Sequence, residues 1–443
     1  MTEQQHSIED VPLNGFHRLL MVRTGGAWLL DGYVLSIIGV VLIPLANELK
    51  LSDFWQGMIA ASTLFGMFFG GFLGGWLPSY IGRQKLYFLG PLVFVLCSLG
   101  SLWAESGMAL FILRFVIGIG IGVEYPVAGG LLAEFLPKKN RGPFLAALTI
   151  LFFAGAALAY LVGLTTLQYA GESSWRLILA SPLVIGVFLL IVRLGTPESP
   201  RWLVSKGRFN EAENVIRKVY GNGFSLKNLP EQQSESCASL VSLLRSGYGP
   251  RLIFITIFWT CAVIPVFAVY AFAPKVMQAL HLTGDWEALG SIVITMLFVV
   301  GCVLGTSLVN VLGRRPLVIH SFLWSGIALL GLGAMSDSGE ISVLILFGIY
   351  AIAIGGAQIL ELVYPNEIFP TELRTLAVGF GSSMSRIGAA VGTWLVPISL
   401  QTIGIDNTMY AAAAVTLVGL LASWLLAPET RAMTLHEAAS LAR

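Results

Sequence analysis

Charge is the scarcest property of this 443-residue chain: 12% of its residues are Asp, Glu, Lys or Arg, while 56% are hydrophobic. Soluble domains carry about a quarter charged residues, so the composition excludes an ordinary water-soluble fold and indicates a membrane protein. Cysteine is nearly as thin. The four cysteines stand at 97, 237, 261 and 302, three of them in apolar runs, with neither disulfide nor zinc-ligand spacing. The five histidines form no cluster, and no Walker lysine motif or GxSxG elbow occurs. No metal, cofactor or enzymatic function is therefore expected. The basic residues are dispersed among short loops and the net charge is only +1, so there is no nucleic-acid patch. The polar start MTEQQHSIEDVPLNGFHRLL lacks the cationic start and short apolar core of a cleavable signal. The first span is expected to stay as an anchor.

What the chain has in abundance is apolar runs near the length that crosses a bilayer. They predict spans at 25–47, 55–78, 86–104, 108–136, 143–167 and 175–194, then a polar stretch, then spans at 251–273, 287–309, 315–335, 342–364, 375–400 and 405–427. Most of the 26 Lys and Arg fall in alternate loops counted from the N-terminus, whereas the opposite loops hold Lys50 and Lys275, with Arg176 at a span edge. Basic loops stay on the cytoplasmic side, which predicts that both termini and the central loop are cytoplasmic. The expected organisation is a tail over 1–24, a six-helix bundle over 25–195, a partly helical linker over 196–250, a second six-helix bundle over 251–427 and a tail over 428–443.

Three signatures occur twice. Gly82-Arg83 in YIGRQK returns as Gly313-Arg314 in VLGRRP; Glu134, Pro137 and Arg141 return as Glu367, Pro370 and Arg374; Pro197-Glu198 returns as Pro428-Glu429. Each pair follows corresponding spans of the two sets, so the chain reads as two six-helix repeats in parallel orientation. Repeats of this kind place a substrate site near the midplane, between halves that rock against each other.

On these residues the chain resembles a major facilitator superfamily transporter along essentially its whole length. The strings LRFVIGIGIGVEYPVAGGLLAEFLPKKNRG, PESPRWL and EIFPTELR resemble the sugar-porter branch. DGY in the first span and SRIGAAVG in the eleventh look closer to relatives that carry organic anions and cations, including bacterial aromatic-acid and nicotinate carriers and synaptic-vesicle-protein-like transporters. The resemblance implies an all-α, twelve-helix fold in the lipid bilayer of a bacterial inner membrane, a small-molecule substrate moved with protons, and a monomer as the functional unit. There are departures. Ser79 and Tyr80 replace the acid and first base of the superfamily loop after span 2, and Asn310 replaces the acid in the second half. A cytoplasmic gate would then lean on Arg83, Lys85, Arg314 and Arg315 meeting Glu134, Glu198, Glu367 or Glu429, with Arg141 and Arg374 beside them. The alternative is that these are only positive-inside anchors.

The ionisable residues inside spans are the functional candidates. Asp31 is one helical turn before the position, here Val34, at which proton-coupled sugar porters carry their acid, and it matches the aspartate of the organic-acid carriers. At about 1.5 Å rise per residue, Glu124 in span 4 lies near the level of Asp31, and Arg114 much further out. Two carboxyls sharing a poorly solvated site suit proton coupling; a structural ion pair of Asp31 with Arg114 or Arg386 is the competing reading. Arg386 falls mid-span on a small polar stripe with Gly379, Ser382, Ser383, Ala390 and Thr393. A guanidinium stays charged and needs an anion or a group of carbonyls, so it is read as the partner of a substrate carboxylate or of Glu124 or Glu361. Gln358 and Glu361 line the exit path or pair with Arg386. Trp259, Phe267 and Tyr270 share one face of span 7, as Phe153 and Tyr160 do of span 5; they pack between helices or line a pocket for a flat or alkyl substrate. Gly118, Gly120 and Gly122 are close-packing positions, not a nucleotide loop. The leading expectation is proton-coupled transport of a small organic anion, an aromatic or heteroaromatic carboxylate. A sugar or polyol symporter is the first alternative, and an organic-cation carrier using Glu124 and Glu361 the second.

Overall fold

A backbone in hydrocarbon has no water to bond, so it must close its hydrogen bonds within each segment. In the computed structural model the chain meets that demand with helices, and no strand occurs among the described residues, which are 8, 11–229, 243–280, 285–336, 339–369, 371–431 and 433. The long helices are α1 (Gly15–Leu49), α2 (Asp53–Trp76), α3 (Arg83–Gly100), α4 (Gly107–Phe135), α5 (Lys138–Ala170), α6 (Pro182–Arg193), α7 (Gly249–Ala279), α8 (Asp285–Leu312), α9 (Arg314–Ala334), α10 (Glu340–Ile368), α11 (Thr371–Thr402) and α12 (Gly404–Leu426). A short helix, Trp175–Ala180, precedes α6 and completes its span. Eleven of these segments are long and apolar enough to cross a membrane. The remaining one, α11, is 32 residues long, and it holds Arg386 and the serines around it.

Local chemistry sets the boundaries. The α1 helix begins at Gly15, well before the expected first span. Asn14 closes a capping box there: its side-chain oxygen accepts from the His17 amide at 3.0 Å and its own amide donates to His17 Nδ1 at 3.1 Å. Lys50 ends the helix in a left-handed conformation. Before α3 and α9 stand Gly82 and Gly313, with φ of 98° and 99°, a conformation that only glycine adopts without strain. The described part of the linker includes the helices Pro200–Ser205 and Phe209–Tyr220. At the second, Arg208 clamps Glu211 with bonds of 2.7 and 2.6 Å, which holds that carboxyl below its ordinary range. The side chain of Asn14 donates to the Val219 carbonyl at 2.6 Å and docks this helix under α1.

The helices pack in the same pattern twice. α2 packs on α4, α1 on α5 and α3 on α6; correspondingly α8 packs on α10, α7 on α11 and α9 on α12. Between the two sets, α11 lies on α2, α8 on α5 and α7 on α1. Glycine permits the closest approaches. A Cβ on Gly118 would stand 2.1 Å from the Thr63 carbonyl oxygen, and one on Gly122 2.5 Å from that of Met67. Gly120 instead faces the Val93 side chain of α3. In the second set, Gly301 and Gly355 do the same work between α8 and α10. Gly118→Val should therefore lower stability by about 1–3 kcal/mol through overpacking, read as a lower melting temperature in detergent. Gly129→Val, where a Cβ meets open space, should be nearly neutral. Equal melting of the two variants would contradict the close α2–α4 contact.

Candidate functional site

The site grows from charges that the helices carry into the apolar interior. Asp31 on α1 is only 1% exposed, and neither of its carboxyl oxygens has a hydrogen-bond partner among the described residues. Glu124 on α4 is 2% exposed. One of its oxygens pairs with Arg193 at the end of α6; the other is unpartnered and lies over Gly90 of α3, where a Cβ would stand 2.2 Å away. Arg193 is fully buried, with its guanidinium 3.8 Å from the centre of the Tyr87 ring and a further bond to the Tyr87 carbonyl. The charges acting on Asp31 are Glu124, Arg193 and Arg386. Arg193 sits at a span edge, beside the basic linker, so its position in the sequence reads as that of a cytoplasmic anchor. The fold turns it inward and makes it the counter-charge of Glu124.

On the opposite side Arg386 of α11 lies over two aromatic faces, 5.4 Å from the centre of the Phe267 ring and 5.8 Å from that of Tyr125. It makes no direct ion pair with Glu124 or Glu361 among the described residues, although Glu361 and Asp31 both feel its charge. Tyr125 was not among the expected site residues, yet its hydroxyl lies in the field of Asp31, Arg386, Glu361 and Glu124. Its ring packs on Trp28 with centroids 4.5 Å apart. The adjacency of Tyr125 to Glu124 in VEYP was the one available signal, and helical spacing from Glu124 would have set it aside. Glu361 is 8% exposed, with the Trp259 ring nitrogen and the Gln358 amide beside its carboxyl. Gln358 also donates to the Ala262 carbonyl of α7 at 3.2 Å.

The aromatic residues of α5 and α7 meet across the two sets of helices. Phe152 and Phe267 stand 6.4 Å apart edge to face; Phe153 stacks on Phe298 at 5.7 Å and tilts against Tyr270 at 5.9 Å. Tyr160 donates to the Tyr270 carbonyl at 2.7 Å, so its hydroxyl holds α5 to α7. Phe267 is the member of the α7 stripe that reaches Arg386. Arg114 stands apart from these charges. No ion pair joins it to Asp31; it reaches the Val34 carbonyl at 3.4 Å.

At the end that carries the basic loops, the acids take two different roles. Arg83 pairs with Glu134, and Arg314 with Glu367 at 2.7 Å. Glu198 and Glu429 were expected to meet guanidiniums as well. They accept main-chain amides instead: Glu198 from Arg83 and Gln84, Glu429 from Arg314 and Arg315, at 2.9–3.2 Å. The first turn of α3 and of α9 offers unpaired amides and the positive end of a helix dipole, which a carboxylate satisfies. Arg315 donates to the Trp424 carbonyl, and Lys85 makes no ion pair among the described residues. The side chains of Arg141 and Arg374 lie outside those described. All of these ties run within one set of helices. A link between the sets occurs at the opposite end, where Lys275 of α7 reaches Asp53 at 3.2 Å and Gln56 at 3.0 Å on α2.

Buried charges on facing helices of two matched sets, with latches at the ends, are the equipment of a carrier. Residues 22–442 match the Sugar (and other) transporter family. The chain belongs to that family. It is 37% identical over 434 residues to the inner membrane metabolite transport protein YgcS of Escherichia coli (strain K12), covering 98% of this chain and 96% of that protein. It is 27% identical over 432 residues to the galactose-proton symporter of the same strain, covering 93% and 91%. Among solved structures it is similar to the xylose transporter XylE from E. coli in a partially occluded inward open conformation, with a TM-score of 0.82 and 22% identity over 95% of this chain and 100% of that one. The family member described here thus has the major facilitator fold, as a multi-pass membrane protein of a transporter family.

Proposed function

We propose that this family member is a proton-coupled, alternating-access symporter of a small uncharged polar metabolite of the sugar or polyol kind, acting as a monomer in a bacterial inner membrane. The observation that carries the reading is Asp31, sealed in the interior with both carboxyl oxygens unpartnered. Around it three carboxyls, Asp31, Glu124 and Glu361, face two guanidiniums, Arg193 and Arg386. The cluster is one negative charge in excess, and a buried lone carboxylate is costly. One proton cancels that excess. A neutral substrate leaves the balance intact, so proton and substrate can cross together, whereas an anionic substrate would restore the excess and require a second proton. The names of the galactose-proton symporter and of YgcS add support for the coupling and for the membrane.

Transport of an organic anion is a second reading, favoured by one observation: Arg386 lies at the centre of the cluster with aromatic faces around it and no carboxylate in direct contact. Proteoliposomes loaded with a pH-sensitive dye separate the two. Hexoses, pentoses and polyols would be tested beside benzoate, nicotinate and quaternary amines under an inward proton gradient. Sugar- or polyol-driven proton influx, faster with a negative-inside potential, is the expected result. Proton influx with carboxylates alone, lost in Arg386→Ala, would replace this reading with the anionic one.

A further inference from the structure

One buried ionised group of α4 stands outside the cluster around Asp31. Arg114 of α4 is 3% exposed and forms no ion pair among the described residues. Among the described residues its one hydrogen bond is the long contact to the Val34 carbonyl, and its Nε has no partner. The other buried guanidiniums are provided for: Arg193 has Glu124, Arg386 has Asp31 and Glu361 in its field, Arg23 donates to the Val192 and Leu194 carbonyls at 2.7 and 2.9 Å, and Arg251 donates to the Ile368 carbonyl at 2.7 Å. A guanidinium does not deprotonate in proteins, and one carbonyl does not repay the removal of a full charge from water. A second unsatisfied group lies on α2, the helix that packs on α4. Gly118, one helical turn from Arg114, touches the main chain of Thr63 on α2, and the Thr63 hydroxyl is fully buried without a partner. A donor-only cation and a free hydroxyl, both shielded from water, present the chemistry that takes up a small anion.

We propose that Arg114 holds an exchangeable monovalent anion between α1 and α4, a halide or a small carboxylate, at a place distinct from the Asp31–Arg386 cluster. The anion supplies the counter-charge that the chain itself does not. The site does not depend on which substrate the cluster carries, because neither Asp31 nor Arg386 belongs to it. Its level on α4 is also different, two turns from the start of the helix at Gly107, whereas Glu124 is deeper. The anion is therefore a resident part of the N-terminal helices or the carboxylate of a cosubstrate.

The test uses purified full-length protein in detergent, first exchanged into a chloride-free buffer whose anion is the bulky sulfonate HEPES. Sodium chloride, bromide, acetate or benzoate is then titrated in at constant ionic strength. A ligand that binds only the folded state raises the melting temperature by mass action, and a saturable rise of roughly 2–4 °C is expected. Arg114→Gln should lose the rise, Arg114→Lys should keep it at higher anion concentration, and Arg386→Gln should keep it unchanged. Saturation by chloride and bromide marks a halide site; saturation by the carboxylates alone marks a carboxylate site. Equilibrium dialysis with radiolabelled chloride and benzoate on the unmodified protein gives a readout that does not depend on how the variants fold. A rise that survives in Arg114→Gln, or no saturable anion effect together with no bound label, would overturn the proposal. Neither result would bear on proton coupling at Asp31.

Discussion

Asp31→Asn should abolish proton-driven accumulation of substrate while leaving equilibrium exchange intact. A one-unit pH gradient is worth about 1.4 kcal/mol per proton, a factor of about ten in the substrate gradient that it can sustain. With a neutral amide at position 31, the excess negative charge of the cluster is gone and no proton is needed to cancel it. The loaded and empty carriers then have the same charge, and the proton gradient loses its hold on the cycle. Accumulation in proteoliposomes should fall to the level without a gradient. Counterflow between substrate on the two sides needs only binding and reorientation, and should persist. The asparagine is nearly isosteric and enters a place where neither carboxyl oxygen has a partner to lose, so a folding defect is not expected. Accumulation at the unmodified level in Asp31→Asn would remove this residue from the coupling step. Loss of both accumulation and counterflow would point to a structural role or to direct substrate contact.

The features legible in the sequence are those set by local chemistry. The helices follow from hydropathy because the bilayer leaves the backbone no other choice, and the repeated Gly-Arg signatures mark the turns where α3 and α9 begin. The packing roles of Gly118 and Gly122 follow from their spacing. α11 is less apolar than its neighbours because it places Arg386 and its serines between helices rather than against lipid. Partner choice is another matter, since it depends on where a side chain points at the end of a helix. Arg193 stands next to a basic linker, and only the burial of the end of α6 against α3 and α1 turns it towards Glu124. Glu198 looks like any exposed acid near arginines until the fold brings it to the amides of α3, more than a hundred residues earlier in the chain. Tyr125 is marked by the Arg386 side chain that reaches its ring from α11, which no spacing within α4 reveals. Arg386 remains the centre of the cluster in both views: the sequence left Asp31, Glu124 and Glu361 open as its partners, and in the fold Asp31 and Glu361 lie in its field.

Arg193→Gln should destabilise the protein severely, by about 3–5 kcal/mol, because it strands the buried Glu124 carboxylate without its counter-charge. The environment cannot compensate. Glu124 already has one oxygen without a partner and Gly90 directly above it, and the nearest remaining charge of note, Asp31, has the same sign. Glu124→Gln alone should cost less, since the guanidinium keeps the Tyr87 ring and carbonyl. Arg193→Gln combined with Glu124→Gln removes both charges and should recover most of the loss, giving a coupling of opposite sign to the single effects. Melting temperatures of the four proteins at one pH supply the cycle. Additive losses would mean that the two charges do not act as a pair. Transport in the double variant then asks a separate question. It retains Asp31, so if Asp31 alone carries the proton, accumulation survives in a protein that has lost the Arg193–Glu124 pair. If accumulation disappears while counterflow continues, Asp31 requires that pair beside it to bind and release a proton. The coupling unit would then be the three residues together, with one arginine shared between two carboxyls.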